Sequence, residues 1–138
     1  MGLRRWLHRL TAPPPSGLRP SGATKLVLVV NHGLKMGKGK VAAQAGHACV
    51  NALLGVDDAH QAVLQAWLSS GQRKICVKGD DAEHLRALHA MATAAGVPCT
   101  LVHDAGHTQV PAGSVTVLAV GPAEEEAVDA ITGDLSLL

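Results

Sequence analysis

The sequence predicts an α/β sandwich, a small sheet with helices packed on both of its faces. Three observations carry that expectation. Strand-like and helix-like segments alternate in the order β-α-α-β-α-β-β-α, which is the pattern of layered α/β domains. Leu26–Val30 is an unbroken apolar run, as expected for a strand covered on both sides. The chain has 138 residues, the size of one domain, and a chain of that length builds a core without needing disulfides or a metal.

The elements are justified in order. Residues 1–23 read as a basic extension. Gly2–Leu10 has the makings of a short amphipathic turn, and Pro13–Pro15 and the Leu18–Gly22 stretch break any helix. The extension is Arg-rich and free of acids, as a transit peptide is, but short and poor in Ser, so it is expected to be a disordered, solvated tail. It has no long apolar stretch and is not a secretory signal. Residues 24–138 form the domain. Strands are expected at Lys25–Asn31, Lys74–Lys78, Cys99–His103 and Val115–Val120. Helices are expected at Lys40–Leu54 and at Asp57–Ser69 with Asp caps. A third, Ala82–Ala95, has Asp80 as N-cap, Glu83 completing a capping box, and Gly96 and Pro98 as its stop. A last helix is expected to begin at Pro122, with Glu124–Glu126 in its first turn, and to end near Gly133. The link Asp104–Ser114 is too short for a helical crossover and long for a tight hairpin. It is therefore a candidate functional loop.

Composition excludes several classes of function. Phe and Tyr are absent and the aromatics are Trp6 and Trp67, so recognition of single-stranded RNA by stacking on exposed rings is ruled out. Cys49, Cys76 and Cys99 form no C-x-x-C pair and are expected as buried free thiols in a reducing compartment. No apolar stretch is long enough for a membrane span. The formal net charge of +1 conceals an asymmetry. Residues 1–40 hold eight of the twelve basic residues and no acid, while the rest carries four basic residues against eleven acidic ones, a net of −7. A cationic region on an acidic body implies an anionic partner met in one place.

Three constellations bear chemistry. Gly33-Leu34-Lys35-Met36-Gly37-Lys38-Gly39-Lys40 resembles a phosphate-binding loop. It lacks the Gly-Lys-Ser/Thr ending of nucleotide hydrolases and any hydroxyl to hold magnesium. Its glycines permit close backbone approach, the helix that follows favours anions, and its lysines bind phosphate as point charges. The loop is either an RNA-backbone clamp beside a reactive centre or a solvated basic loop. Next, Lys40, Gln44, His47 and Asn51 fall at i, i+4, i+7 and i+11, a polar stripe on one helix face that either lines a groove or faces water. Third, His103-Asp104-Ala105-Gly106-His107-Thr108-Gln109 gathers a carboxylate, a hydroxyl and two imidazoles. Metal binding by His103, Asp104 and His107 fits no common ligand spacing. As a catalytic loop, Asp104 would position or deprotonate a water and Thr108 would donate to an oxyanion. The plainer reading is a turn tied by its own Asp and Thr. With no G-x-S-x-G, a serine-hydrolase elbow is excluded.

Together, Lys25–Val30, the run Leu34–Gln44, His47-Ala48, Asp104-Ala-Gly-His-Thr-Gln109 and Gly121-Pro122 resemble the class II, archaeal and eukaryotic-type, peptidyl-tRNA hydrolases over about residues 24–138. The resemblance implies a three-layer sandwich with a four-stranded mixed sheet, no metal and no other cofactor. It also implies hydrolysis of the ester between a peptide and the 3′ ribose of tRNA, which recycles tRNA from stalled ribosomes. The matching catalytic positions are Lys38 or Lys40, His47, Asp104 and Thr108. Those expected to meet the tRNA are Lys35, Lys38, Lys40, Gln44, His107 and Gln109. Family members can pair, so a homodimer is an open expectation. The compartment implied is the cytoplasm, or the mitochondrion if residues 1–23 are an address. The chain departs from the family at Asn31-His32-Gly33, where Arg-x-Asp is usual, with His32 as a partial substitute. The competing readings are a non-catalytic RNA-binding or adaptor protein that keeps the fold, and a protein-interaction domain.

Overall fold

A computed structural model describes residues 17–106 and 110–138. The amphipathic turn expected within residues 2–10, and His107, Thr108 and Gln109, lie outside the described residues. Residues 17–23 form an irregular lead-in. It is tied to the body by the Ser21 amide, which donates to Glu124 Oε1 at 2.6 Å, and by the Ala23 carbonyl, which accepts from the Glu125 amide at 2.9 Å.

The strands are β1 (Thr24–Asn31), β2 (Lys74–Gly79), β3 (Cys99–His103) and β4 (Val115–Glu124). The helices are α1 (Lys38–Leu54), α2 (Gln61–Ser69), α3 (Ala82–Ala94) and α4 (Glu125–Thr132). The sheet order is β2-β1-β4-β3. β1 and β2 run parallel, and β4 is antiparallel to both of its neighbours, so the sheet is mixed as expected.

Alternation along β1 divides the core in two, because successive side chains point to opposite faces. Leu26, Leu28 and Val30 pack with Ala48, Ala52, Leu64 and Trp67 under α1 and α2. Val27 and Val29 pack with Leu85, Leu88, Ala92, Val128 and Ile131 under α3 and α4. Ala48 and Ala92 are each fully buried, and such small residues let the helices lie close to the sheet. The result is the three-layer sandwich that the element order predicts.

Some boundaries move for identifiable reasons. The N-cap of α3 is Asp81, not Asp80: Asp81 Oδ1 accepts from the His84 amide at 2.9 Å. The Asp80 carbonyl is instead taken by the Gly33 amide at 2.9 Å, and with Asp81 as cap the third helical position is His84, so Glu83 completes no capping box. The Asp57–Ser69 segment divides into a 3-10 turn, Asp58–His60, capped by Asp57, and the α2 helix. The last helix does not begin at Pro122. Pairing of Lys25 with Ala123 and Thr24 with Glu124 extends β4, and Pro122 falls at the register shift of the β1–β4 ladder, where its missing N–H costs no hydrogen bond.

The three cysteines are free and half-buried. Burial pushes the Cys49 and Cys76 thiols up.

Candidate active site

α1 begins two residues earlier than its sequence signals suggest, at Lys38, with Gly37 as its N-cap in extended conformation. That start carries Lys40, Gln44, His47 and Asn51 along one face. These four line a single cavity of about 610 Å³, closed on the opposite side by Val102, His103, Asp104 and Ala105 from the end of β3. The glycine–lysine loop and the late Asp loop therefore meet at one end of the groove between α1 and β3.

The centre of the site is an ion pair between Lys40 Nζ and Asp104 Oδ1, with the Lys40 side chain 9% and the Asp104 side chain 3% exposed. Gln44 Nε2 donates to the same carboxylate oxygen at 3.4 Å, and the Gly106 amide donates to Oδ2 at 2.9 Å. Backbone bonds fix Asp104 further: its amide donates to the Ser114 carbonyl at 2.9 Å and its carbonyl accepts from the Gly113 amide at 2.8 Å. Gly106 has φ +85°, and a Cβ there would meet Ala112 Cβ at 2.5 Å. The turn that aims the Gly106 amide at the carboxylate therefore requires glycine. With an ammonium partner and two further donors aimed at it, the carboxylate is placed as a hydrogen-bond acceptor.

Behind this pair lies a residue that sequence reading missed. Thr116, fully buried in β4, donates to Gln44 Oε1. Gln44, expected to meet tRNA, is itself buried, and its amide joins Thr116 to Asp104. Among Val115, Val117 and Val120, a Thr reads simply as another β-branched strand residue. Asn31 stands out in the sequence only as part of the departure from the family pattern, without a structural role. It is buried, and its Nδ2 donates to the Val115 carbonyl at 2.8 Å, securing the start of β4, while its Oδ1 has no hydrogen-bond partner among the described residues.

The remaining expected residues divide plainly. His47 lies on the cavity wall and is exposed. Lys35 and Lys38 are exposed at the head of the groove and do not line the cavity. Of the two candidate lysines, Lys40 is the one brought to Asp104. His32 is exposed in a 3-10 turn, His32–Leu34. Gly33 lies so close to the Asp80 carbonyl that a Cβ would sit 2.7 Å from its oxygen, so the aspartate usual at that position in the resembling family does not fit this backbone unshifted. Among the described residues no group of three or more His, Cys, Asp or Glu is placed to hold a metal ion, and no helix is long and apolar enough to cross a membrane.

The fold and this site define a small α/β enzyme with a lysine–carboxylate pair beside a basic glycine–lysine loop. Residues 24–138 match the family model described as Peptidyl-tRNA hydrolase PTH2. The chain is 41% identical to "Peptidyl-tRNA hydrolase" of Methanocaldococcus jannaschii, over 83% of this chain and 99% of that one. It is 45% identical to "Peptidyl-tRNA hydrolase 2, mitochondrial" of Homo sapiens, over 94% of this chain and 73% of that one. It is 44% identical to "Peptidyl-tRNA hydrolase" of Thermococcus onnurineus, over 83% and 97%. The chain belongs to the PTH2 family of peptidyl-tRNA hydrolases.

Proposed function

We infer that the chain is a peptidyl-tRNA hydrolase: with water, it cleaves the ester joining a peptide's C-terminal carboxyl to the 3′ ribose oxygen of tRNA, releasing the peptide and a free tRNA. The observation that carries this reading is the buried Lys40–Asp104 pair, facing a cavity at the head of which Lys35 and Lys38 stand free of the wall.

Lys35 and Lys38 attract the phosphates at the tRNA 3′ end. Phosphate contact positions a nucleic acid without reading its bases, and every tRNA has the same 3′ end. Asp104 accepts from the attacking water and orients it towards the ester carbonyl. The Lys40 ammonium, held in place by Asp104, donates to the oxyanion of the tetrahedral intermediate, and Thr108 is the second donor. Asp104 takes the proton that the water loses on attack, and as the intermediate collapses the C–O bond to the ribose breaks and that proton passes to the ribose oxygen. His47 on the groove wall is within the reacting region, and His107 and Gln109 contact the tRNA end. Gln44 serves these groups from behind by holding Asp104. The protein works in the cytoplasm, and fusing residues 1–23 to a reporter tests that placement: uptake into mitochondria would overturn it.

The direct test is incubation with N-acetylated peptidyl-tRNA. Release of free tRNA by multiple turnovers is expected, with affinity falling steeply as salt rises. Tight tRNA binding without hydrolysis would contradict the reading and leave a non-catalytic RNA-binding protein.

A further inference from the structure

The two edges of the sheet differ. At the β2 edge the C-terminal segment closes the ladder: the Lys78 amide donates to the Ser136 carbonyl at 2.9 Å, the Leu138 amide donates to the Cys76 carbonyl at 3.1 Å, and Val77 bridges Leu137. At the β3 edge, β4 is the sole partner strand among the described residues. An edge strand presents a row of unpaired N–H and C=O groups, and an extended peptide can add to it.

This open edge borders the active site. The cavity at Lys40 and Asp104 is lined by Val102 and His103 of β3. A second cavity of about 270 Å³ is lined by Cys99 and Thr100 of the same strand. Asn51 of α1 lines both, so the two cavities adjoin and together form a groove beside β3. Its far end is bounded by His60, whose ring Nε2 lies 3.1 Å from the Gly96 carbonyl oxygen and whose Nδ1 pairs with Asp57 at 2.5 Å. The charges are unequal: Lys35, Lys38 and Lys40 cluster at the Asp104 end, and the Cys99 end holds one His–Asp pair.

We propose that the β3 edge is the peptide subsite, and that the peptide moiety of the substrate adds to β3 as a parallel strand. This rests on the reading of the chain as a peptidyl-tRNA hydrolase. In that substrate the ester carbonyl must sit at Lys40 and Asp104, with phosphates on the lysine side. The uncharged peptide main chain then leaves in the other direction, along the groove. Its C-terminal residue lies beside Asp104 and its N-terminal residues beside Cys99, so it runs in the same direction as β3. The five residues of β3 at about 3.3 Å each span roughly 16 Å, enough for about four peptide residues. Main-chain pairing is independent of side chains, as an enzyme that meets peptides of every sequence requires.

The test is a series of N-acetylated tRNAs bearing one to six residues, assayed for kcat/KM with wild type and Asn51→Trp. Asn51 is exposed, so the variant is expected to fold, which its thermal melt checks. A stepwise rise is expected, averaging about three- to tenfold per residue because every second residue adds two hydrogen bonds and those between add none, levelling off near four residues and flattened in Asn51→Trp. N-methylation of successive peptide nitrogens is expected to alternate between harmful and harmless, the signature of strand pairing. Rates independent of length, a rise that Asn51→Trp leaves unaltered, or an equal loss on every substrate would each overturn the peptide subsite while the hydrolase reading stands. A uniform effect of N-methylation would overturn the added strand. If no member of the series is hydrolysed, the hydrolase reading fails and the subsite with it.

Discussion

Lys25 and Lys40 are both buried lysines that meet carboxylates, and their surroundings differ. Lys25, on β1, lies 2.5 Å from Asp129 and 3.5 Å from Glu125, whose side chains are 47% and 37% exposed. It lies outside the groove, and its partners stay in water, so the pair behaves as a clasp between β1 and α4. Lys40 meets an Asp104 that is buried with it, and both line the cavity. Two buried charges that keep one side towards a substrate-sized space cost more to maintain than a half-wet clasp. What singles out Lys40–Asp104 as the proposed reacting centre is that it is shielded on both sides and lines a cavity, not that it is an ion pair.

Breaking each pair separates the two roles most sharply. Lys40→Met leaves the Asp104 carboxylate buried without its ammonium. Loss of about 3–5 kcal/mol of stability is expected, together with a fall of about 10²–10³ in kcat, the usual consequence of removing an oxyanion donor. Lys25→Met is expected to lower stability by roughly 1 kcal/mol or less and to leave kcat unaltered. Denaturant melts and single-turnover hydrolysis on both variants check this, and matching activity losses would erase the distinction.

Thr116→Val probes the support behind Lys40. It strips the donor from buried Gln44 Oε1, so a loss of about 1–3 kcal/mol is expected, with kcat falling several-fold and KM steady as Asp104 loosens. Replacing Lys35 and Lys38 by Gln is expected to weaken tRNA binding and leave the chemical step intact. Each lysine should take about 0.7–0.9 from the slope of log affinity against log salt. A filter-binding titration at several salt concentrations reads this directly.

The smallest effect belongs to the clasp. The Arg73 guanidinium, 2.8 and 3.2 Å from Glu125, holds that carboxyl below its ordinary value of 4.5, and Lys25 adds to the effect. Because the folded value is depressed, the contribution is present at neutral pH and lost as pH falls through the carboxylate range. Glu125→Gln should therefore melt slightly below wild type at pH 7, and the two curves should converge in acid.

Much of this arrangement was legible in the sequence because local spacing encodes it. The i, i+4, i+7, i+11 stripe put Lys40, Gln44, His47 and Asn51 on one face, and alternation along β1 set the two core layers. What was hidden depends on partners distant in the chain. Lys25 and Asp129 are 104 residues apart and Gln44 and Thr116 are 72 apart, so neither pair leaves a periodic trace. The α3 cap moved to Asp81 because Gly33 occupies the Asp80 carbonyl, and β4 outran its expected end because β1 continued to pair with it. Both are tertiary effects that override local signals.

The central claim is that Asp104 and Lys40 form the hydrolytic centre, and Asp104→Asn tests it most directly. The substitution keeps the shape and removes the charge that pairs with the Lys40 ammonium and that the proposed mechanism uses to orient the water. Single-turnover hydrolysis of N-acetylated peptidyl-tRNA is expected to slow by about 10²-fold or more, with tRNA affinity unaltered. Near-normal turnover, or a loss of binding in step with the loss of rate, would contradict the account.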